Sequence, residues 1–268
     1  MSRPLRVRGP ARGSAVALAL ACAALGASCG PDLGVGSDVL WSATFESNSF
    51  SEWTAVPTRG AEAFPEPGDS IVVSNDRAHD GTYSVKLTID TSVMGEQQNT
   101  LLSRVGDLPV EGYYSAWYYL PGAVTVGTYW VIFKFRLRTN VDDESTTTEF
   151  YDLDLVNSSP GHMSLVLYNH LAQVHEIPLD VPHPVVPVGS WFQIESYYRN
   201  NQDNTGRITF WLDGQQIIDI NGHPMAPTPW IEWEVCSIGK DLMPNPAVLY
   251  ADDCAVSATR VGPTGLIR

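Results

Sequence analysis

The feature that most limits what this chain can fold into is a recurrence of short β-branched and aromatic runs, separated by Gly, Pro, Asn and Asp. SIVVS, TYSVKLTI, YYSAWYYL, YWVIFKFRLR, EFYDLDLV, MSLVLYNH, WFQIESYYR, RITFWLDG, QQIIDI, EVCSIG and LYADDCAVS follow one another from residue 70 to residue 257. Such runs between turn formers read as strands, and no stretch sustains a helical repeat with caps. Many strands without helices to cover them must bury their apolar faces on each other. The expectation is an all-β, two-sheet antiparallel β-sandwich.

Alternation within the runs assigns the faces. In YWVIFKFRLR, the set Val131, Phe133, Phe135 and Leu137 is expected in the core. Trp130, Ile132, Lys134, Arg136 and Arg138 then form a basic stripe ending in solvent. In WFQIESYYR, Phe192, Ile194 and Tyr198 point inward, with Gln193, Glu195, Tyr197 and Arg199 opposite. RITFWLDG puts Ile208, Phe210 and Leu212 inward and Arg207, Thr209 and Trp211 outward. An outward tryptophan beside arginines is costly unless a ligand or another element covers it. Asp213-Gly214 marks a tight hairpin into the next run, because glycine easily supplies a positive φ.

Residues 1–29 stand apart. Arg3, Arg6, Arg8 and Arg12 precede the apolar run SAVALALACAALGA, too short to span a bilayer and suited to an export signal. GASC resembles a bacterial lipoprotein signal, in which Cys29 is acylated and becomes the first mature residue; plain secretion is the alternative. Residues 30–39 read as a flexible tether, 40–262 as one domain and 263–268 as a tail. Every charge in the first 29 residues is an arginine, which leaves 12 basic against 30 acidic residues, a net charge of about −18. That balance argues against a nucleic-acid partner, since phosphate contacts need basic clusters. A membrane partner is expected through the lipid anchor only. Cys236 and Cys254 are the mature cysteines. In an exported chain an even pair suggests a disulfide, and a metal-binding pair is disfavoured for lack of further ligands at the right spacing.

From Trp191 to Ile217 the chain reads WFQIESYYRNNQDNTGRITFWLDGQQI. This segment resembles the Trp-strand, Gly, strand, Asp-Gly hairpin of concanavalin A-like jelly rolls, which include laminin-G-like modules and bacterial polysaccharide lyases. TFESNSFSEW, NDRAHDGTYSVKLTI and YADDCAVS resemble the ends and middle of the same pattern. The resemblance implies a concanavalin A-like fold and a polysaccharide partner. It also implies a structural calcium away from the ligand groove, held by Glu46, Asp80 and its neighbours, and Asp252 or Asp253. Carboxylates and carbonyls are the hard oxygens calcium prefers. An acidic edge that discourages sheet-to-sheet pairing is the other reading of these residues.

Two functions compete on these residues. Sugar rings pack their C–H faces on aromatic surfaces while their hydroxyls take hydrogen bonds. Trp117, Trp130, Lys134, Arg136, Gln193, Glu195, Tyr197 and Trp211 are the expected binding set, and polysaccharide binding is the main expectation. The alternative is a lyase acting on a uronic-acid polymer, which needs a cation for the carboxylate, a base and an acid. Its candidates are Lys134, Arg136, His170 with Tyr168, Tyr197 and Arg199. The triplet QIE carries Glu195 where similar lyases have histidine, which weighs against elimination. A glycosidase ranks lower: in EFYDLDLV only Asp152 and Asp154 share a face. A structural envelope or adhesion protein is the third reading.

Overall fold

The computed structural model describes residues 38–54, 61–63, 68–93, 95–105, 108–140, 143–170, 173–175, 184–201, 203–223 and 230–264. The expected export signal with Cys29, and the tether up to residue 37, lie outside them.

Sixteen strands are formed by the described residues: β1 (Val39–Ala43), β2 (Ala61–Ala63), β3 (Ser70–Ser74), β4 (Ser84–Ile89), β5 (Gln98–Val105), β6 (Glu111–Tyr119), β7 (Thr125–Arg138) and β8 (Thr147–Ser159), then β9 (His162–Asn169), β10 (Val174–His175), β11 (Val185–Val186), β12 (Trp191–Arg199), β13 (Gly206–Leu212), β14 (Gln215–His223), β15 (Trp230–Met243) and β16 (Ala247–Ser257). Sheet 1 runs β14-β13-β12-β6-β16-β4-β3, with β1 also paired to β16. Sheet 2 runs β10-β9-β8-β7-β15-β5-β2, with β11 paired to β9. The chain is thus a two-sheet antiparallel β-sandwich of jelly-roll type. Asp213 and Gly214, both at positive φ, make the expected tight turn between β13 and β14.

The core fills the space between the sheets. Tyr114, Phe192, Ile194, Tyr198 and Phe210 come from sheet 1; Phe133, Phe135, Leu153, Leu167 and Trp233 from sheet 2. Rings interlock across it: Phe135 stacks on Tyr198 at 4.5 Å and meets Tyr114 edge-on at 4.9 Å, while Phe133 meets Phe210 at 5.4 Å. Such pairs add about 0.5–1.5 kcal/mol each beyond area burial.

One expected face assignment is wrong in half of β7. Val131 pairs with Asp154 and Phe133 with Leu153, so β7 advances two residues while β8 advances one. This is a β-bulge, and it shifts the alternation by one position. Phe133, Phe135 and Leu137 face the core as expected. Upstream of the bulge Trp130 and Ile132 turn into the core instead, and Val131 turns outward. Trp130 is fully buried and its Nε1 donates to Ser237 Oγ at 2.9 Å. It is a core residue, not a sugar-binding one. Arg138 does not end in solvent either; it is buried against Glu232.

The expected disulfide is also corrected. Cys236 and Cys254 are both free and buried. Cys254 packs in the main core, whereas Cys236 sits in a separate cluster with Leu101, Val131 and Ile238 on the outer side of sheet 2. Sheet 2 itself separates the thiols, and spacing along the sequence carries no information about that.

Strand β16 is shared along its length. Ala247 to Ala251 pair with β4, and Cys254 to Ser257 pair with Ala43 to Val39 of β1. On its other side it pairs with β6, with a register shift after Asp252. Asp252 and Asp253 therefore occupy the handover between β4 and β1, and Asp253 takes a positive φ of 43° there.

Candidate active site

A cleft of about 650 Å³ opens on the outer face of sheet 2. Its walls come from β5, β7, β8, the end of β9 and β15, and include Gln97, Asn99, Tyr129, Lys134, Arg136, Asp152, Asp154, Tyr168 and His170. Antiparallel register lines up the polar row that passes through it. Ser103, Glu234, Lys134, Asp152 and Tyr168 are successive partners across β5, β15, β7, β8 and β9. Cross-strand neighbours of opposite charge attract, so the row alternates in sign. Lys134 Nζ lies 3.3 Å from Asp152 Oδ1, and Arg136 Nε lies 3.0 Å from Glu234 Oε1. Beside them Arg138 pairs with Glu232, which also accepts a hydrogen bond from Ser103 Oγ.

Desolvation shifts several groups around this row. Asp154 is held well above the usual carboxylate range, first by burial and then by the nearby Asp152 charge. Its Oδ1 is buried without a hydrogen-bond partner among the described residues. Asp152 is raised by burial against the opposing pull of Lys134. His170 is exposed at the end of β9; partial desolvation lowers it, although Asp152 works the other way, which favours the neutral imidazole. Burial also raises Tyr129, whose hydroxyl donates to Gln97 Oε1 at 2.5 Å. A cleft thus gathers two tyrosines, a neutral imidazole, a neutral-leaning carboxyl and two compensated cations. Desolvation combined with specific charge partners in a cleft is the pattern of a functional site.

The structure unites part of the expected set and divides the rest. Lys134, Arg136, His170 and Tyr168 share the cleft, and Asp152 and Asp154 join them. Tyr197 and Arg199 do not: they lie on the outer face of sheet 1, beside Glu111, across the core from the cleft. Gln193 and Glu195 are on that face too, but sealed. Gln193 Nε2 donates to the Gly262 carbonyl, and the fully buried Glu195 accepts from Val261 N, Gly262 N and Arg260 Nε. Arg260 then lies over the Trp211 ring at 4.3 Å, which answers what covers that tryptophan. Trp117 is stacked on His79 with ring centroids 3.7 Å apart. The eight expected binding residues accordingly form no single groove.

Tyr129, Gln97 and Asn99 escape the sequence reading. Tyr129 lies upstream of the β7 bulge, where period-two alternation carried back from Phe133 points to the core instead of the cleft. The strand QNTLLSRV, which carries Asn99, is masked by its polar residues and has no aromatic signal.

Away from the cleft, the acidic residues expected to hold calcium gather around the loop before β4. Glu46 Oε1 accepts from Thr82 N and Tyr83 N at 2.9 and 2.8 Å. Asp252 accepts from His79 N and Asp253 N, both at 2.8 Å, and Asp253 Oδ2 lies 2.6 Å from His79 Nδ1. Asp80 belongs to the same loop. Gly81 is at positive φ, and a Cβ there would come within 2.5 Å of the Glu46 carboxylate. Asp252 is pushed up to about 8, by burial first and Asp253 second. Among the described residues no three His, Cys, Asp or Glu side chains converge on a metal position. The side chains alone therefore make no metal cage; they clasp the loop through its N–H groups.

No protein-family model matches the sequence, and no curated protein matches it. Solved structures match its shape. An endo-β-1,4-glucuronan lyase from the fungus Trichoderma reesei superimposes with a TM-score of 0.57 at 12% identity, covering 85% of this chain and all of that one. An alginate lyase from Chlorella virus gives 0.54 at 10%, over 83% of this chain and 100% of its own. A cellulose-induced protein gives 0.54 at 15%, over 82% and 98%. At these identities the likeness establishes the fold.

Proposed function

We propose that this chain is an exported polysaccharide lyase that cleaves a uronic-acid polymer by β-elimination in the cleft of sheet 2. The observation that carries this reading is the convergence of Lys134, Arg136, Tyr168 and His170 on one cleft, beside an Asp154 carboxyl raised by burial. The likeness to a glucuronan lyase and an alginate lyase supports it.

The chemistry assigns the roles. Elimination removes the proton at C5 of the uronate, forms the C4=C5 double bond and breaks the C4–O4 bond, whose oxygen takes a proton. Arg136 and Lys134 offset the charge that builds on the uronate carboxylate as the C5 proton leaves; preorganised charges of this kind contribute most in a site screened from water. His170, exposed at the end of β9 and lowered by partial desolvation, accepts the proton. Tyr168, in the same row as Lys134, donates one to the leaving oxygen. Asp154 in its protonated form donates a hydrogen bond to the polymer instead of repelling it.

The test is incubation with polyglucuronate, alginate and pectate while following the ultraviolet absorbance of the unsaturated product. Wild type should produce it on at least one polymer, and Tyr168→Phe should lose about 10²–10⁴-fold in rate, the usual range for a general acid or base. New reducing ends without the unsaturated product would replace the lyase by a hydrolase using Asp152 and Asp154. Binding without any cleavage would leave a polysaccharide-binding protein. Export by way of a lipid-anchored Cys29 belongs to the same proposal, and mass spectrometry of the N-terminus of the mature protein from bacterial membranes tests it.

A further inference from the structure

We propose a second glycan site, on the outer face of sheet 1, that binds a neutral sugar chain. Here a pocket of about 510 Å³ is lined by Glu111, Tyr113, Tyr197, Arg207, Thr209 and Trp211. It lies on the opposite side of the core from the cleft and shares no residue with it.

Three rings make its surface. Tyr113 lies 5.1 Å from Tyr197 and 6.2 Å from Trp211 by ring centroids, and all three are half-buried on strands β6, β12 and β13. The register explains the cluster. Asp219, Thr209, Tyr197, Tyr113 and Ser257 are successive partners across five strands, with Trp211 two residues along β13 on the same face. The rings are braced: the Tyr197 hydroxyl donates to Glu111 Oε1 at 2.5 Å, and Arg260 packs over Trp211. A braced aromatic surface costs little ordering on binding, and it suits the C–H face of an equatorially substituted sugar.

Charge selects the class of sugar. Arg207 makes a two-pronged contact to Asp219, with both distances 2.8 Å, and Thr209 Oγ1 donates to the same carboxylate at 2.9 Å. Arg199 pairs with Glu111 at 3.8 Å, and Arg260 with Glu195 at 2.8 Å. Each cation around the rings already has a carboxylate opposite it. A uronate would bring an anion to a surface whose positive charge is matched, whereas neutral hydroxyls can use the outer lone pairs and N–H groups of these pairs. The site therefore favours neutral hexose or pentose segments, and would hold the protein on a mixed polymer or a wall while the cleft works on another chain.

Titration with cellohexaose, mannohexaose and xylohexaose, followed by tryptophan fluorescence and calorimetry, tests this, with hexaglucuronate as the anionic comparison. At least one neutral hexasaccharide should bind, and any hexaglucuronate binding in the Tyr168→Phe background should be unaffected by Trp211→Ala. Trp211→Ala should weaken that binding by about tenfold, the size of one lost stacking contact. Tyr113→Ala, which leaves Arg260 in place, should do the same. Both variants should keep the wild-type cleavage rate on soluble polymer, and Tyr168→Phe should keep the neutral-sugar affinity. Absence of neutral-sugar binding, or binding unchanged in both aromatic variants, overturns the proposal. Loss of cleavage alone, in Tyr168→Phe or in wild type, bears on the cleft and not on this site.

Discussion

Lys134 Nζ and Asp152 Oδ1 stand 3.3 Å apart on neighbouring strands, and both side chains are less than a tenth exposed. A buried pair of this kind makes each partner depend on the other. Removing one leaves an uncompensated charge, whereas replacing both by apolar groups of similar size is close to neutral. Lys134→Met alone should therefore cost about 3 kcal/mol or more in urea unfolding. Lys134→Met/Asp152→Leu should recover most of that stability and still fail to cleave polymer. If the double variant is as unstable as the single one, the pair is not the unit that the geometry describes. If it cleaves normally, Lys134 has no part in the chemistry.

Asp154 gives stability a pH dependence of known sign. Its folded-state pKa is raised by burial and by Asp152, so folding favours the protonated form. That contribution is complete below the unfolded value near 4 and is lost as pH rises toward the folded value. The melting temperature of wild type should fall relative to Asp154→Asn as pH rises above the ordinary carboxylate range. Parallel melting curves for the two proteins would show that Asp154 is ionised in the fold.

The clasp around His79 bears on calcium. Glu46, Asp252 and Asp253 converge on one loop, with Asp252 buried next to a second carboxyl. We propose that a calcium ion, adding loop carbonyls to these hard oxygens, relieves that crowding. Millimolar calcium should then raise the melting temperature by several degrees and chelation should reverse it, as mass action requires of a ligand that binds only the native state. Glu46→Gln should abolish the response. Identical melting with and without calcium would leave the residues as a hydrogen-bonded clasp.

Glu195 is the anchor for the segment after β16. Its carboxylate accepts three hydrogen bonds, from Arg260, Val261 and Gly262, while wholly buried. Glu195→Gln keeps the volume and loses the charge, and should cost about 1.5–3 kcal/mol, the value of a charged hydrogen bond. Limited proteolysis should then cut near Arg260 sooner than in wild type. An unchanged cleavage pattern would mean the segment is held by other contacts.

The sandwich was readable because alternation and turn chemistry are local properties. Phe192, Ile194, Tyr198, Ile208, Phe210 and Leu212 all point where period two puts them, and Asp213-Gly214 turns where its φ preference says. The errors arose where local rules lose their phase. The bulge at Val131 and Phe133 exchanged the faces of Trp130 and Val131 and hid Tyr129 from view. The binding set failed for a different reason. Lys134 and Tyr197 are both outward residues, but outward on opposite sheets, and which sheet a strand joins is decided by pairings between residues far apart in the sequence. Cys236 and Cys254 were misjudged on the same ground. Within the cleft, Lys134, Arg136, His170, Tyr168, Asp152 and Asp154 were legible as polar groups on strand faces; their meeting was not.

Strand β16 has a consequence for how the molecule comes together. It pairs with β1, β4 and β6, joining Val39 to Ser257 across more than two hundred residues. Until β16 is made, β4 and β6 have no common neighbour and β1 has no partner at all among the described strands. Closing such distant contacts is entropically slow, so the early chain gains little from collapsing. Until β16 arrives, β4 and β6 each present an open edge with which a strand of another chain can pair.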